Sequence, residues 1–303
     1  MSRNENDFSI RVLTKEDAEQ YNALLRYSFQ VTEQELAETG WKDDEIKQSK
    51  FPVLDGIMKK LMKKSLTRMK ESNKSFALLY PYSIPLYRRL GWEIISNKMT
   101  YVIKDTQVPQ KISEPGYVRR VAWDDIDFKE LHGMFAAKTH GCLYRNKLGL
   151  WEYIYKHDSM IDEVRGNNYY SEPIAFELDD SDIKETIRPY AMGRIIDVAQ
   201  FIPQYKSDPD GPGGVFAFEV SDELLPWNNG TFHVEFKNGK SCLTEETAGY
   251  HLKMSIGTLT TLLMGYKTAE YLWNMGKIEG SAAAVGILDD VLLHEIPYVS
   301  DYI

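Results

Sequence analysis

The sequence predicts a mixed α+β protein that is built from more than one compact domain. The chain has 303 residues, which is more than one small hydrophobic core requires. Its first two thirds alternate short apolar strands with amphipathic helices. From Val215 onward the pattern changes to alternating strands and hairpin-type turns, followed by a largely helical stretch. These observations together indicate at least two folding patterns in succession.

A first domain is predicted over residues 1–108. Its opening, "FSIRVLTKEDAEQYNALLRYSFQVT", has the pattern of a strand followed by a helix. A lysine-rich amphipathic helix follows from Ile57, and Asn73 is a plausible C-terminal stop. A buried strand is then predicted from Phe76 to Tyr80, and "LYRRLGWEI" has the pattern of a short helical turn closed by Gly91. The next strand is predicted in "SNKMTYVIKD".

Two further domains are predicted, over residues 109–205 and 206–303. The Pro/Gly-bearing segments "TQVPQKISEPG" and "YKSDPDGPGG" mark the boundaries. The second domain begins with "YVRRVAWDDIDFKELHGMFAAKTH", which repeats the strand-then-helix pattern of the first. In the third, Asn228-Asn229-Gly230 and Asn238-Gly239 are hairpin signals between strands, and two helices are expected after residue 255. We expect an antiparallel sheet there, with helices on one face.

The charge and cysteine content narrow the class of partner. The formal net charge is -9, which argues against nucleic acid or an anionic membrane as the main partner and is compatible with cationic small molecules. The N-terminus lacks the apolar core of a signal peptide, and no apolar run is long enough to span a bilayer. Cys142 and Cys242 lie far apart and have no redox or metal spacing. A reduced, cytoplasmic setting is therefore expected.

No metal site is predicted from the spacing of possible ligands. The six histidines form no HxH, HxxxH or HExxH grouping. The sequence also has no GxSxG nucleophile elbow and no GxxxxGK[ST] phosphate-binding loop. Metal-assisted hydrolysis, serine-nucleophile chemistry and P-loop chemistry are thus not indicated.

The segment "LYPYSIPLYRRLGWE", residues 79–93, carries the most specific functional signal. Taken alone, Tyr87 is compatible with a half-buried packing residue beside two solvent-exposed arginines. In its context of basic helix, strand, short helix and strand, the segment resembles the second half of a GNAT acetyltransferase domain. More specifically, it resembles the Eis (enhanced intracellular survival) family of N-acetyltransferases. The resemblance extends to "HDSM", "RIIDVAQF", "NGTFHVEFKNGKSCLT" and the C-terminal "DYI", and so covers essentially the whole chain.

This resemblance implies a domain order, an activity and an assembly. Members of the family have a GNAT domain, a second degenerate GNAT-like domain and a sterol-carrier-like C-terminal domain. They transfer an acetyl group from the co-substrate acetyl-CoA to amines, including those of aminoglycosides, and they form hexamers. An amine small molecule, acetyl-CoA and a homo-oligomer are therefore the expected partners.

The resemblance also implies roles for particular residues. Tyr87 matches the general acid that gives a proton to the departing thiolate of CoA, and a phenol stays protonated near neutral pH. The carboxylate of Ile303 matches the family's general base, which is the C-terminal carboxylate folded into the active site. Two further groups are expected to bind acetyl-CoA, near the thioester and at the helix N-terminus that holds the pyrophosphate: Tyr82 and Ser83, and Gly56, Ile57 and Met58.

The sequence departs from the family pattern at two junctions. "SKFPVL" runs directly into "DGIMKK", so that the central strand and the Arg/Gln-x-x-Gly-x-Gly/Ala loop expected before the helix are missing. Only Gly56 remains of that loop, and Asp55 places a carboxylate beside it, which is the wrong sign for a pyrophosphate. A similar gap is indicated at Asn146–Lys147. Either intervening residues of the protein are absent from the sequence, or the polypeptide itself is shortened.

Two other functions remain open on the sequence. The C-terminal unit resembles sterol carrier proteins, so the chain could bind an apolar ligand without catalysing a reaction. The candidates for the wall of a ligand tunnel lie at helical spacing, which is equally typical of an ordinary core: Leu259, Leu262, Leu263 and Met264. The missing loop also permits a catalytically inactive scaffold within an oligomer.

Overall fold

The structure is a computed structural model. It describes residues 55–108, 162–168, 174–247 and 249–295, together with residues 14, 17, 20, 154 and 297. The chain divides into two compact units, residues 1–66 and 67–303. The predicted opening strand and helix, the start of the second domain, the second sequence junction and Ile303 lie outside the described residues, and only Asp55 of the first junction lies within them. The predicted domain bounds stay predictions.

Helix α1 spans Asp55–Glu71 and corresponds to the predicted lysine-rich helix. It ends as predicted at Asn73, whose φ of 56° places it in the left-handed region. The Asn73 N–H donates to the Lys70 carbonyl at 2.9 Å, and the Lys74 N–H donates to the Met69 carbonyl at 2.9 Å. These two bonds form a Schellman motif, which satisfies carbonyl groups at the end of the helix.

The first sheet of the 67–303 unit has four strands, in the order β1-β4-β2-β3, and all its strand pairs are antiparallel. Two of its strands precede the predicted boundary at residue 108 and two follow it, so the segments on both sides of that boundary share one sheet. A short helix, α2, spans Ile84–Arg89 and connects β1 to β2, as predicted. The strands are β1 Phe76–Leu79, β2 Glu93–Lys104, β3 Glu163–Asn168 and β4 Lys184–Ile195.

A short helix, α3 (Val198–Phe201), leads from β4 to the second sheet, whose five strands have the order β7-β6-β5-β8-β9. Three helices pack on this sheet: α4 Ile256–Leu263, α5 Ala269–Asn274 and α6 Ala282–Val291. The strands are β5 Gly214–Ser221, β6 Gly230–Lys237, β7 Lys240–Leu243, β8 Tyr250–Ser255 and β9 Ile278–Gly280.

The expectation of a purely antiparallel second sheet was wrong. Strand β8 pairs with β5 in parallel, with Phe216 opposite Tyr250 and Val220 opposite Met254. The physical reason is the connection after β7, which crosses from one edge of the sheet to the far side of β5 and enters β8 in the direction of β5. The mixed α+β fold class is confirmed, since both sheets are accompanied by helices.

One of the two predicted hairpin turns is confirmed. Asn238 and Gly239 connect β6 to β7 with φ values of 51° and 74°, as a type I′ turn requires. The connection from β5 to β6 is longer than a tight hairpin, and a 3₁₀ turn at Pro226–Asn228 lies within it. Gly230 then begins β6. The asparagine side chains of this connection form hydrogen bonds that shape the loop, as shown below.

The main hydrophobic core lies between the second sheet and its helices. Phe216, Phe218 and Phe236 from the sheet pack there with Leu259 and Leu288 from the helices. Leu262 and Leu263 are also buried core residues. With Leu259, three of the four tunnel candidates therefore belong to the hydrophobic core. Within the described part of the chain, no helix is both long and apolar enough to cross a membrane.

Candidate functional site

The candidate site is the turn formed by α2 and the residues that follow it. Gly91, with φ of +82°, ends the helix in the left-handed conformation that glycine adopts without steric cost. Its N–H donates to the Arg88 carbonyl at 3.0 Å, and the Trp92 N–H donates to the Tyr87 carbonyl at 3.1 Å. This is a second Schellman motif, and it confirms the prediction that Gly91 closes the helical turn.

Tyr87 is half-buried within this motif. Its ring lies against the buried ring of Trp92, with 6.2 Å between the ring centroids and an edge-to-face angle of 71°. A hydrophobic contact between these two positions commonly accompanies a Schellman motif. No described residue forms a hydrogen bond with the Tyr87 hydroxyl. Tyr87 is therefore a packing residue through its ring.

The two arginines after Tyr87 lie on the outer side of the turn. Arg88 forms an ion pair with Glu93, in which the Arg88 Nη2 lies 2.8 Å from Glu93 Oε1. The same carboxylate oxygen accepts the Ile94 N–H at 2.9 Å. Arg88 therefore connects the end of α2 to the start of β2, across the Schellman turn. This exposed pair adds little stability, because solvent screens it.

Tyr82 and Ser83 precede Tyr87 at the other end of α2. Tyr82 is 80% exposed. Ser83 is the N-cap residue of α2, and its side chain makes no capping hydrogen bond, although its carbonyl accepts the Tyr87 N–H at 3.2 Å. The structure therefore places Tyr82 and Ser83 at the start of α2, one helical turn before Tyr87.

The other predicted site residues belong to other parts of the chain. Gly56, Ile57 and Met58 lie in the first turn of α1, in the 1–66 unit. Ile303 lies outside the described residues. The described residues contain no cluster of histidine, cysteine, aspartate or glutamate that could hold a metal ion.

Sequence reasoning missed Arg194, a fully buried residue near the end of β4. Its Nη1 donates to the Leu90 carbonyl at the C-cap of α2. Its Nη2 lies 2.8 Å and 2.7 Å from the two carboxylate oxygens of Asp222. Burial lowers the pKa of Arg194, and the charge of Asp222 opposes that shift. The guanidinium therefore connects the candidate site to the loop between β5 and β6.

Asp222 is held by several hydrogen bonds from its own loop. Its Oδ1 accepts the Leu224 and Leu225 N–H groups, each at 3.0 Å. Its Oδ2 accepts the Asn228 side-chain amide at 2.9 Å. Asn229 Oδ1 in turn accepts the Asp222 N–H at 2.7 Å. A buried carboxylate with this many donors is a rigid acceptor for Arg194.

Helix α4 packs against the first sheet close to the same turn. All of its residues are buried, including Thr260 and Thr261. The Thr261 hydroxyl donates to the Ile94 carbonyl at 2.7 Å, and the Thr260 hydroxyl accepts the Ile195 N–H at 3.2 Å. These hydroxyl groups satisfy backbone groups of β2 and β4 that would otherwise be buried without partners.

Two sequence features could have indicated this network. Arg194 stands inside the apolar run "AMGRIIDV", where a charge that is buried needs a charged or hydrogen-bonded partner. The three threonines in "IGTLTTLL" similarly mark a helix that is apolar throughout yet carries hydroxyl groups. Neither feature names its partner, because Arg194 and Asp222 are 28 residues apart and Thr261 and Ile94 are 167 apart.

Comparison with known families defines the class of protein. Residues 53–95 and 115–195 match two families described as acetyltransferase (GNAT) domains, and residues 198–300 match the sterol carrier protein domain family. The first match begins at residue 53, beside the first of the two junctions at which the sequence departs from the expected pattern. The chain therefore has GNAT acetyltransferase domains followed by a sterol-carrier-like domain, which is the Eis-like architecture predicted from the sequence.

Solved structures share this fold. A probable N-acyltransferase of Enterococcus faecalis aligns with a TM-score of 0.74 at 22% identity, over 84% of this chain and 78% of that one. A GCN5-related N-acetyltransferase from Anabaena variabilis aligns at 0.71 and 21%, over 82% and 78%. Eis1 from Mycobacterium abscessus aligns at 0.64 and 18%, over 82% and 79%. No curated protein sequence matches significantly.

Proposed function

We propose that the chain is an acetyl-CoA-dependent N-acetyltransferase that acts on amine substrates. The observation that carries this proposal is the placement of Tyr87 in the matched GNAT segment. Its ring is held against Trp92 by the Schellman turn, while its hydroxyl has no hydrogen-bond partner among the described residues. A fixed ring with an available hydroxyl is what a proton donor to a leaving group requires.

In the proposed reaction the amine nitrogen forms a bond to the acetyl carbon of the thioester, and the carbon–sulfur bond breaks. Tyr87 gives its phenolic proton to the departing sulfur. The carboxylate of Ile303 accepts the proton that the amine loses, directly or through a water molecule. The carboxylate then releases its proton to solvent, and the Tyr87 phenolate takes up a proton from solvent. The enzyme is therefore unchanged after one turnover.

The substrate class is proposed from charge as well as from the resemblance. The net charge of -9 favours polycationic amines over anionic ligands. Polyamines and aminoglycoside-like molecules have this character, and several amino groups per molecule would favour binding to an acidic surface. A hexamer is proposed on the resemblance alone, and a cytoplasmic setting is proposed on the cysteine content.

The described residues offer only part of the expected acetyl-CoA site. The start of α1 has backbone N–H groups without intrahelical partners, which can bind phosphate oxygens. Tyr82 and Ser83 are proposed to lie near the thioester. The glycine-rich loop that should complete the pyrophosphate site is missing from the sequence, and Asp55 stands in its place. The affinity for acetyl-CoA is therefore the first quantity to measure.

Turnover by Tyr87→Phe tests the assigned acid. With acetyl-CoA and an aminoglycoside as substrates, we expect kcat to fall about 10²- to 10⁴-fold, because the variant keeps the ring and loses only the proton donor. The KM for acetyl-CoA should stay nearly constant. Tyr250→Phe is the matched control, since it removes a phenol from the first residue of β8, whose ring lies against Phe216 in the C-terminal core. Equal kcat values in all three proteins would overturn the role of Tyr87.

The assigned base is tested by extending the chain beyond Ile303. Two added glycines move the carboxylate without changing any side chain. We expect a large loss of kcat with thermal stability unchanged. Full activity in the extended protein would exclude the terminal carboxylate as the base and leave the role of Tyr87 to be judged separately.

A non-catalytic binding or scaffold protein is the second candidate. The missing pyrophosphate loop is the observation that favours it. Isothermal titration calorimetry with acetyl-CoA separates the two functions. Submillimolar binding supports the acetyltransferase, whereas no binding of acetyl-CoA together with binding of an apolar ligand supports the alternative.

A further inference from the structure

The turn that carries Tyr87 is held from both sides by buried groups of other segments. On one side, the Arg194 guanidinium donates to the Leu90 carbonyl and lies so close to Gly91 that a Cβ there would be 1.6 Å from Arg194 Nη1. On the other side is the first turn of α4, where a Cβ on Gly257 would be 3.6 Å from the Trp92 carbonyl oxygen. The backbone of Gly91 and Trp92 therefore has little freedom to move.

The anchor for Arg194 belongs to the sterol-carrier-like domain. Asp222 binds Nη2 with both carboxylate oxygens, and the loop of Asp222 fixes that carboxylate with the hydrogen bonds from Leu224, Leu225 and Asn228. Three matched segments thus meet at one guanidinium: the first GNAT match through Leu90, the second through Arg194 and the sterol-carrier match through Asp222. The exposed Arg88–Glu93 pair of the same turn has no such anchor.

We propose that Arg194 and Asp222 are positioning residues, through which the sterol-carrier-like domain sets the orientation of Tyr87 for proton donation. The connection is short. Leu90, whose carbonyl Arg194 holds, is the C-cap of α2, and the Schellman bonds of Gly91 and Trp92 return directly to Arg88 and Tyr87. A small displacement of the Leu90 carbonyl therefore moves the Tyr87 ring and its Trp92 contact together.

This inference rests on the proposed function of Tyr87, and it gives the C-terminal domain a role in catalysis that does not require a ligand. Small errors in the position of a catalytic group lower the rate strongly while substrate binding is kept. A purely structural role for Arg194 and Asp222 would instead lower stability and leave kcat unchanged in the folded fraction.

The main test uses the double variant Arg194→Met/Asp222→Asn. It removes both charges, so that no unpaired buried charge remains, and the introduced amide keeps an oxygen for the loop N–H groups. Well below the melting temperature, we expect kcat for acetyl-CoA and an aminoglycoside to fall about ten- to a hundredfold, with both KM values nearly constant. The same double variant in a Tyr87→Phe background should cause no further loss.

A second readout does not depend on activity. Amide hydrogen exchange at Gly91 and Trp92 should accelerate at least about tenfold in the double variant, because their N–H groups form the Schellman bonds, while amides in β5 and β6 stay protected.

Arg165→Met/Glu163→Gln is the matched control: it removes an Arg–Glu pair of the first sheet that is exposed to solvent, and it should change neither readout. If the double variant does not fold, Arg194→Lys takes its place in both measurements. Lysine keeps the positive charge, but its single nitrogen cannot replace both Nη1 and Nη2 of the guanidinium.

The outcomes separate the two ideas. Unchanged exchange at Gly91 and Trp92 overturns the inference, as does an equal loss of kcat in the wild-type and Tyr87→Phe backgrounds. If Tyr87→Phe alone keeps full activity, the assigned acid is wrong, and the inference fails as a statement about catalysis even where exchange shows that the pair holds the turn. Non-additive kcat losses together with local acceleration of exchange support both.

Discussion

The two sheets of the 67–303 unit are covered in different ways. The second sheet packs against α4, α5 and α6, which follow it in the same segment of chain, and together they form one apolar core. Among the described residues, the first sheet has a small apolar cluster of its own at its β3 end, which consists of Ile103, Val108, Ile174 and Leu178. At its other end, beside the candidate site, buried apolar residues such as Ile95 and Met192 are joined by polar links from α4 and Arg194.

This difference indicates which region depends on the other. The C-terminal core is assembled mainly from contiguous sequence, and among the described residues of the first sheet Ile195 and Phe76 contribute to it. The turn that carries Tyr87 depends on groups up to 167 residues away, as the Thr261–Ile94 bond shows. A change in the C-terminal core should therefore reach the candidate site, whereas a change at the site should leave that core intact.

The largest expected effect comes from a cavity in the C-terminal core. Leu288→Ala removes a fully buried side chain of α6, so we expect the free energy of unfolding to fall by about 2–5 kcal/mol. Both sheets of the 67–303 unit should unfold in the same urea transition, because α4 packs on each. Leu243→Ala on the exposed face of β7 is the control and should change stability by less than about 0.5 kcal/mol. A separate, unshifted transition of the first sheet would contradict this dependence.

Gly91→Ala tests the candidate turn directly. The left-handed backbone costs a residue with a Cβ about 1 kcal/mol, and the contacts with Arg194 and Ile256 should add about 1–3 kcal/mol. Gly276→Ala is a close control, since Gly276 has a similar φ of +64° and nothing within 4 Å of an added Cβ. The difference between the two variants measures these contacts alone. Equal losses of stability in Gly91→Ala and Gly276→Ala would show that the side chains around Gly91 move aside without a loss of stability.

Thr261→Val tests the polar link between α4 and β2. The variant keeps the shape of the side chain and removes the donor to the Ile94 carbonyl, so we expect a loss of about 1–2 kcal/mol. Thr231→Val, at an exposed position of β6, should change stability by less than about 0.5 kcal/mol. If both variants unfold at the same urea concentration, the Thr261 bond does not stabilise the first sheet.

The sequence predicts the local parts of this structure well because their causes are local. Helix α1, its stop at Asn73, the Gly91 turn and the Asn238-Gly239 hairpin follow from periodicity and turn chemistry within a few residues. The parallel β5–β8 pair was missed, because the crossing that produces it depends on the order of strands in the finished sheet.

The candidate site divides in the same way. The sequence and its resemblance to a family pointed to Tyr87, while the Schellman contact with Trp92 became evident only in the structure. Arg194 and Asp222 could not be paired in advance, since hydrogen bonds between side chains that are far apart in sequence leave no periodic signal. A buried arginine shows that some partner exists, and only the fold identifies it.

The smallest expected effect compares two tyrosines, the half-buried Tyr87 and Tyr205, which packs edge-to-face on Phe236 in the C-terminal core. Burial raises the pKa of Tyr205 to about 12. An unfolded tyrosine titrates near about pH 10, so the stability contributed by the neutral Tyr205 is fully present below that pH and is lost as the pH rises through about 12. Stability should therefore decline between those values, and Tyr205→Phe should remove part of the decline. Ultraviolet titration of the wild-type protein should show a late-titrating phenol that is absent from Tyr205→Phe; its presence there would assign the late step to another tyrosine.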